Sequence, residues 1–364
     1  MREQRSRRDL LKATGALGIA GLAGCTGGES GGQGTTDETT NAGATTADGG
    51  TTDESDGDGA TRTPSSDSMT IFHAGSLAPP FGAAERGFED EYGVDVKREA
   101  KGSVASTKKI TTQGRSADVL GVSDFRLIRD MLLDEYGSWY AVFATNAMSL
   151  QYREDSPGAD EIGPDNWWEI LSRDDVTVGH SDPAVDPGGY RAVMSMQLGK
   201  EEMDGERLYD EETFEKIRGN MTVPTGTETK LEGQLKSGKL DYALYYRSIA
   251  SQSGLPYVDL QPHVDLSKLN QTYASHYEKA EVEAGGNTYV GAPIAYGITV
   301  PSVAEAPVRG AQWVEYMTTE PGRKALESKG LIPKEPAVVT EDGDVPDRVA
   351  KHAEAKTSVG PLEL

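Results

Sequence analysis

This chain of 364 residues has little cysteine, little positive charge and no long apolar run. Its one cysteine, Cys25, excludes an internal disulfide and any metal cluster held by several cysteines. The apolar run Ala13–Ala23 is shorter than the roughly 20 residues that a membrane-spanning helix needs. Because 36 basic residues face 59 acidic ones, the formal net charge is -23, which argues against nucleic-acid binding and against anionic membrane surfaces. A recessed site for a small anion stays compatible with this charge, since such a site acts at short range.

Residues 26–68 also lack something: they contain no Val, Leu, Ile or Phe. The segment is built of Thr, Gly, Ser, Ala, Asp and Glu, so it cannot bury enough apolar surface to fold. We therefore predict a disordered tether at 26–68 that separates a membrane anchor from a folded domain.

The first 25 residues have the order of an export signal, with a basic start, an apolar run and small residues before Cys25. Ser6–Lys12 resembles the twin-arginine export signal, and Leu22–Cys25 resembles the lipobox of exported lipoproteins. We expect lipid attachment at Cys25 and a location on the extracytoplasmic face of the cell membrane; the alternative is an ordinary cleavage site with a spare thiol. The acidic composition together with this signal indicates a salt-loving archaeon as the source.

The remaining 296 residues, 69–364, are too many for one hydrophobic core, so two lobes are expected. Strand and helix patterns alternate along them, which predicts an α/β fold with binding loops at the carboxyl ends of strands. Two β-favouring segments, Ala141–Tyr152 and Ala292–Val300, suit strands that cross between the lobes. We place lobe one at 69–145 and 297–364, and lobe two at 146–296. Other predicted strands are Met69–His73, Val94–Arg98, Ala117–Val122, Val176–Gly179 and Asp241–Tyr246, and the predicted helices include Val104–Gln113, Gly189–Leu198, Lys230–Ser237, Ala311–Met317 and Arg323–Lys329.

Four loops at predicted strand ends carry Gly, Ser, Thr or Pro, which suits the binding of an anion by backbone N–H and hydroxyl groups. Each loop alone is most simply a turn, but four of them converging on one cleft would make a binding site. The loops are Ala74–Ser76, Lys101–Ser103, Asp182–Gly189 and Thr225–Glu228.

Enzyme motifs fit the chain poorly. Ser76, Ser103 or Ser181 could act as a nucleophile, but no Gly-x-Ser-x-Gly elbow follows a predicted strand, and only His73 and His180 lie near these loops. The phosphate-loop and His-Glu-x-x-His zinc motifs are absent from the sequence. A serine-dependent hydrolase is therefore a distant alternative, and the chain is not expected to be an enzyme.

Five segments in order, HAGSLAPPF, KGSVAS, SDPAVDPGGYRA, LDYALYYRSIASQSGL and APIAYGITV, resemble the molybdate/tungstate-binding proteins of archaeal ABC transporters. The resemblance runs from about Thr70 to Pro333. It implies a two-lobed fold of the periplasmic-binding-protein type II, in which a hinged cleft closes on an oxyanion. It also implies no cofactor, a bound molybdate or tungstate ion, an ABC permease as partner, a membrane contact through the lipid anchor only, and a monomer.

The resemblance also implies a set of site residues. Asp186 would be a direct ligand of the metal atom in the anion. The other implied contacts are the hydroxyls of Ser76 and Ser103, the backbone N–H of Gly188, the side chain of Tyr246, and a backbone group of the Thr225–Glu228 loop near Glu228.

The chain departs from this family at Tyr245, where we expect the family's second metal-coordinating glutamate. A phenol with an ordinary pKa near 10 is a poor substitute for a carboxylate at neutral pH. The sequence therefore predicts a four-coordinate anion held by hydrogen bonds, with Tyr245 at the site and Asp186 as at most one weak ligand. Sulfate, thiosulfate and phosphate remain the alternative ligands.

Overall fold

The computed structural model describes residues 67–224 and 226–364, without the side chain of Thr229. The predicted export signal, its lipidation site Cys25, nearly all of the predicted tether, and Thr225 lie outside the described residues. No helix among the described residues is long and apolar enough to cross a membrane.

The described chain forms sixteen strands and thirteen α-helices. The strands are β1 Ser68–Ala74, β2 Asp95–Lys101, β3 Val119–Val122, β4 Ala141–Thr145, β5 Met148–Tyr152, β6 Val178–Gly179, β7 Met221–Thr222, β8 Tyr242–Tyr246, β9 Tyr257–Asp259, β10 Glu281–Ala284, β11 Asn287–Val290, β12 Ala295–Thr299, β13 Ile332–Thr340, β14 Ala353–Lys356, β15 Ser358–Val359 and β16 Leu362–Glu363. The helices are α1 Ala78–Tyr92, α2 Ser103–Thr111, α3 Arg126–Met131, α4 Leu133–Tyr136, α5 Trp167–Leu171, α6 Pro187–Leu198, α7 Glu211–Asn220, α8 Leu231–Lys236, α9 Arg247–Ala250, α10 Gln271–Tyr277, α11 Pro307–Thr318, α12 Glu320–Glu327 and α13 Asp347–Ala350. Two 3-10 turns, Gly75–Leu77 and Glu228–Lys230, precede α1 and α8.

Two sheets organise these elements. A seven-stranded sheet has the order β14-β13-β4-β12-β3-β1-β2, and a five-stranded sheet has the order β7-β6-β8-β5-β9. We call the part built on the first sheet lobe one and the part built on the second sheet lobe two. Parallel pairs join β1 to β2 and β3 in lobe one, and β6 to β7 and β8 in lobe two, while the strands that enter from the other lobe pair antiparallel. The expected two-lobed α/β fold is confirmed.

The segment predicted as one crossing strand is two strands. Ala141–Thr145 pairs within lobe one and Met148–Tyr152 pairs within lobe two, so the chain crosses between them at Asn146–Ala147. The strand pattern is interrupted here because the Asn146 side-chain oxygen accepts the Ala147 N–H at 3.0 Å, a local bond that competes with sheet pairing.

Local signals explain the helix ends nearest the cleft. Helix α1 begins with Pro79 and Pro80 in its first turn, where the missing N–H is not needed, and it ends at Gly93 in the left-handed conformation, φ 62°. Asp186 caps helix α6 by accepting the Gly188 N–H, with Pro187 at the first helical position. Both helices therefore start at the carboxyl end of a strand-and-loop unit.

The core of lobe one is aromatic. Trp313 is fully buried and meets the rings of Phe81 and Phe88 edge to face, at centroid distances of 5.3 and 5.0 Å. Phe81 also lies edge to face against His73 at the end of β1. Such pairs fix ring orientation in addition to burying apolar area, so the turn after β1 rests on a rigid base.

Candidate functional site

The loops singled out in the sequence meet between the two lobes. The 3-10 turn Gly75–Leu77 of lobe one lies against the 3-10 turn Glu228–Lys230 of lobe two. Gly102 lies so close to the loop before α6 that a Cβ there would be 2.2 Å from the Val185 carbonyl oxygen. A side chain at position 102 would therefore hold the lobes apart, so only glycine fits at this position.

Lobe one contributes hydroxyl groups. Ser76 and Ser103 are 1% and 0% exposed, and each follows a strand of the seven-stranded sheet. The hydroxyl of Tyr296 donates to Ser76 Oγ at 3.0 Å. Ser103 Oγ accepts the backbone N–H of Ser123 at 3.0 Å and lies 3.0 Å from Ser123 Oγ. Ser123 is thus part of the same group, and the sequence interpretation missed it because its turn carries no glycine or proline.

Lobe two contributes two buried carboxylates, Asp186 and Glu228, which are 2% and 1% exposed. Asp186 Oδ1 accepts the Gly188 N–H at 3.1 Å, and its Oδ2 accepts the Glu228 N–H at 3.2 Å. Glu228 Oε1 accepts the Tyr246 N–H at 3.3 Å. The chain has no glutamate at position 245, but Glu228 supplies a second buried carboxyl group near Asp186.

Gly188 makes room for this pair. A Cβ at position 188 would lie 2.5 Å from the carboxyl carbon of Glu228, so only glycine lets that side chain reach its place. The Gly188 N–H, which was predicted to face the anion, donates to Asp186 at 3.1 Å. Gly188 thus gives space to Glu228 and an N–H to Asp186.

Burial perturbs both carboxyl groups. Desolvation raises the pKa of Asp186 to about 6, and the N–H bonds from Gly188 and Glu228 only partly oppose it. Burial, reinforced by the neighbouring charge of Asp186, raises the pKa of Glu228 well above its ordinary value. The two groups repel each other when both are ionised, so burial and this repulsion both raise the pKa of the pair.

Tyr245 does not lie at this site, which corrects the sequence prediction. It packs on the other face of β8, in a small apolar cluster with Leu231 and Leu235 of helix α8, and its hydroxyl has no hydrogen-bond partner among the described residues. Tyr246 points to the site: its hydroxyl accepts from Arg191 and donates to Ser123 Oγ at 3.2 Å. Successive strand residues face opposite ways, so only one of the two tyrosines can reach the cleft.

A buried ion pair links the lobes next to the serine hydroxyls of lobe one. Arg191 of helix α6 donates to the Ser123 carbonyl at 2.7 Å and lies 3.2 Å from Asp124 Oδ2, while the Tyr190 hydroxyl donates to the same oxygen at 2.7 Å. Burial opposes ionisation of Asp124, but Arg126 and Arg191 outweigh it and hold the Asp124 pKa well below its usual range. These contacts exist only when lobe two rests on lobe one.

Catalytic geometry is not found at the loop serines. His73 Nδ1 and His180 Nδ1 bond main-chain oxygens, of Ala74 at 2.7 Å and of Ser181 at 2.8 Å. Burial lowers the pKa of His73 to about 4. No hydrogen bond among the described residues joins a histidine to a serine hydroxyl, so a nucleophile with its general base is not assembled there.

Comparisons with known proteins agree with a binding role. The family model described as bacterial extracellular solute-binding protein matches residues 69–332. A protein named molybdate/tungstate-binding protein WtpA, from Thermococcus kodakarensis, is 35% identical over 311 residues, which cover 78% of this chain and 86% of that protein. A solute-binding protein of Methanoculleus marisnigri, named as uncharacterized, is 37% identical over 314 residues, covering 79% of this chain and 87% of its own.

Solved structures share the fold at low sequence identity. The periplasmic molybdate-binding protein of Azotobacter vinelandii superposes with a TM-score of 0.53 at 13% identity, covering 72% of this chain and 98% of that one. The sulfate-binding protein SubI of Mycobacterium tuberculosis gives a TM-score of 0.54 at 15% identity, with 74% and 88% covered. The shared two-lobed fold therefore accommodates more than one oxyanion.

Proposed function

The chain belongs to the family of bacterial extracellular solute-binding proteins, and on that premise we propose that it captures molybdate or tungstate and delivers it to the permease of an ABC importer. The family makes it an extracytoplasmic binding protein and not an enzyme. Relatives at 34–35% identity that are named for molybdate and tungstate support this ligand, while closer relatives carry no ligand in their names.

The observation that carries the ligand assignment is the buried pair Asp186 and Glu228. Two carboxylates beside a doubly charged anion repel it, unless they bond to the central atom. Hexavalent molybdenum and tungsten accept two further oxygen ligands beyond the four oxo groups, whereas the sulfur of sulfate and the phosphorus of phosphate do not. The pair thus favours an expandable metal centre and disfavours the other dianions.

Asp186 and Glu228 are accordingly proposed as direct ligands of the metal atom, giving six-coordination in place of the four-coordinate anion that the sequence predicted. Ser76 and Ser103 donate hydrogen bonds to the oxo groups from the opposite side. Coordination requires both carboxyl groups to be ionised, so affinity should increase as pH rises through about 6, where Asp186 loses its proton.

Closure of the lobes follows from this division of contacts. An anion seated on the lobe-one hydroxyls lacks its remaining ligands until lobe two arrives, so it stabilises the closed state by its differential contacts. The Asp124–Arg191 pair, at 3.2 Å, forms in the same movement. The closed form then signals occupancy to the permease.

Phosphate is the second candidate, and one feature favours it. Hydrogen phosphate carries a proton, and an ionised carboxylate is an acceptor for that proton. Asp186 and Glu228 are buried acceptors of this kind, so a protonated anion would find a partner in lobe two. Sulfate and thiosulfate lack such a proton and are repelled by the pair.

We also propose that the chain is a monomer held at the membrane by a lipid on Cys25, through the tether at 26–68 and with an archaeal, salt-loving source. The support is the sequence alone: the twin arginines, the lipobox-like Leu22–Cys25 and the acidic composition. Mass spectrometry of the membrane-extracted protein tests the anchor, because a diacylglyceryl-type modification adds a defined mass to the N-terminal peptide.

Native mass spectrometry tests the ligand. The folded domain is incubated with equimolar molybdate, tungstate, sulfate and phosphate, and the retained anion is read from the added mass. We expect molybdate or tungstate to be retained. Retention of phosphate or sulfate in their place contradicts the proposal. Tyr140→Phe is the control for indirect effects, because it removes a buried lobe-one hydroxyl that has no hydrogen-bond partner in the described part of the chain.

A further inference from the structure

The chain crosses between the lobes at Asn146, between β4 and β5, and the side-chain amide of Asn146 has a defined orientation. Asn146 Oδ1 accepts the backbone N–H of Ala147 at 3.0 Å and that of Ser248 at 3.4 Å. Its Nδ2 donates to Ser248 Oγ at 2.8 Å and to the hydroxyl of Tyr296 at 3.0 Å. The reversed amide would point its NH2 group at two backbone donors, so only one orientation satisfies the bonds.

This orientation determines where the proton of Tyr296 points. The Tyr296 oxygen receives an N–H from Asn146, and its own proton then goes to Ser76 Oγ, 3.0 Å away. Ser76 in turn accepts from Tyr296, which leaves its own proton free for another acceptor. All three side chains are buried at 2% exposure or less, so solvent does not compete for these bonds.

A similar chain of hydrogen bonds, from a nitrogen donor through a tyrosine to a serine, leads to Ser103. Arg191 has donors only, and it donates to the hydroxyl of Tyr246, which donates to Ser123 Oγ at 3.2 Å. Ser103 Oγ accepts the Ser123 N–H at 3.0 Å and lies 3.0 Å from Ser123 Oγ. Ser76 and Ser103 are thus each preceded by a chain that starts at an N–H donor, of Asn146 or Arg191, and passes through a tyrosine.

We propose that Asn146 and Tyr296 are positioning residues that fix the direction of the Ser76 hydroxyl proton, so that lobe one meets the anion with a hydrogen-bond donor that is already aimed. The inference rests on the proposed function in one respect, that Ser76 contacts the bound anion. It assigns a role to the crossing between β4 and β5: the residue at the hinge and the residue at the site belong to one hydrogen-bonded chain.

The consequence is a selection against protonated oxygens on this side of the site. Ser76 Oγ already accepts from Tyr296 and turns its own proton toward the anion, so it favours an anion oxygen that carries no proton. Without Tyr296, the Ser76 hydroxyl can rotate and accept. Discrimination between molybdate and hydrogen phosphate would then decrease.

A double-mutant cycle on the full folded domain tests the proposal. Calorimetry gives the molybdate affinity of the wild type, Tyr296→Phe, Ser76→Ala and the double variant. We expect Tyr296→Phe to weaken binding by about tenfold in the wild-type background and by less than about twofold in the Ser76→Ala background, because it acts through Ser76. Equal losses in both backgrounds would overturn the proposal.

Two additions make the test decisive. Tyr140→Phe removes a buried lobe-one hydroxyl that has no partner among the described residues, and it should leave affinity unchanged. Asn146→Asp keeps the shape but converts the donor into an acceptor, so it reverses the chain and replaces Tyr296→Phe in the cycle if that variant does not fold. The ratio of molybdate to hydrogen phosphate affinity should fall in either variant, and an unchanged ratio contradicts the proposal.

The choice of anion in the titration distinguishes a failure of this proposal from a failure of the proposed function. If the wild type binds sulfate or phosphate in preference to molybdate, the proposed function is wrong, and the cycle with that anion still tests the positioning role. If it binds none of these oxyanions, both are overturned, since Ser76 then has no anion to meet.

Discussion

The two lobes bring opposite chemistry to one cleft. Lobe one presents the neutral hydroxyls of Ser76, Ser103 and Ser123. Tyrosine hydroxyls donate hydrogen bonds to this set. Lobe two presents two carboxyl groups, Asp186 and Glu228, buried side by side. The first set suits any tetrahedral dianion, whereas the second set repels an anion unless its central atom accepts oxygen ligands. The difference indicates that lobe one binds oxyanions whose facing oxygens carry no proton, and that lobe two selects among them by the central atom.

Replacing both lobe-two carboxyl groups with amides should have the largest effect on ligand binding. In Asp186→Asn/Glu228→Gln the carboxylate ligands are lost while shape is kept, and we expect molybdate affinity to fall by about 3 kcal/mol or more, in the range measured for truncated buried charges. Sulfate affinity should rise, because two repelling charges are gone. Calorimetry with both anions checks this, and equal losses for the two anions would contradict the division of roles.

Changing lobe one should act alike on molybdate and sulfate, whose oxygens carry no proton at neutral pH. Ser76→Ala removes a donor to a charged ligand, and we expect a loss of about 1.5–3 kcal/mol for both anions. The measurement is the same titration, with Tyr140→Phe as the matched removal of a lobe-one hydroxyl. A loss confined to molybdate would mean that lobe one also distinguishes the central atom.

The carboxyl pair should make the ligand-free protein less stable as pH rises. Its folded-state pKa values lie above ordinary values, with Asp186 at about 6, so the folded state holds protons that the unfolded state releases. Stability is therefore greatest below about pH 4 with respect to this pair, and it is lost as pH rises through 6 and beyond. We expect a difference on the order of 3 kcal/mol, since the pKa of Asp186 rises from 3.8 to about 6 and one unit of pKa is worth about 1.4 kcal/mol.

Denaturant unfolding at several pH values measures this effect. The Asp186→Asn/Glu228→Gln variant is the control, because it retains every other acidic residue and lacks only the pair. The pH slopes of wild type and variant should differ between pH 4 and 7. Parallel slopes would show that the two groups titrate normally.

Tyr245→Phe should have the smallest effect. The Tyr245 hydroxyl lies in the apolar cluster behind β8 and has no hydrogen-bond partner among the described residues, so its loss should leave molybdate affinity unchanged. A clear loss of affinity would place Tyr245 at the cleft, as the sequence pattern alone had predicted.

Sequence predicted the parts of the molecule that have local signals. The turns at Ser76 and Ser103, the loop Asp182–Gly189 and most lobe-one strands carry glycine, proline or alternating apolar residues. Strand β13 was missed because its two prolines, Pro333 and Pro336, argue against a strand and are tolerated only in an irregular part of the ladder.

The site itself was predictable only in part. Glu228 was assigned by its loop, but its backbone N–H meets the Asp186 carboxylate across 42 residues of chain, and nothing local indicates that approach. Arg191 and Ser123 are 68 residues apart and meet only when the lobes close. Tyr245 was misplaced because two adjacent tyrosines do not reveal which face of a strand each occupies.

X-ray absorption at the molybdenum edge of the loaded protein tests the central claim most directly. The account predicts a six-coordinate centre with weak pre-edge absorption, in which two of the oxygen ligands come from Asp186 and Glu228, and a return toward four-coordination in Asp186→Asn/Glu228→Gln. A four-coordinate tetrahedral anion in the wild-type protein, with strong pre-edge absorption and bond lengths like those of free molybdate, would contradict it.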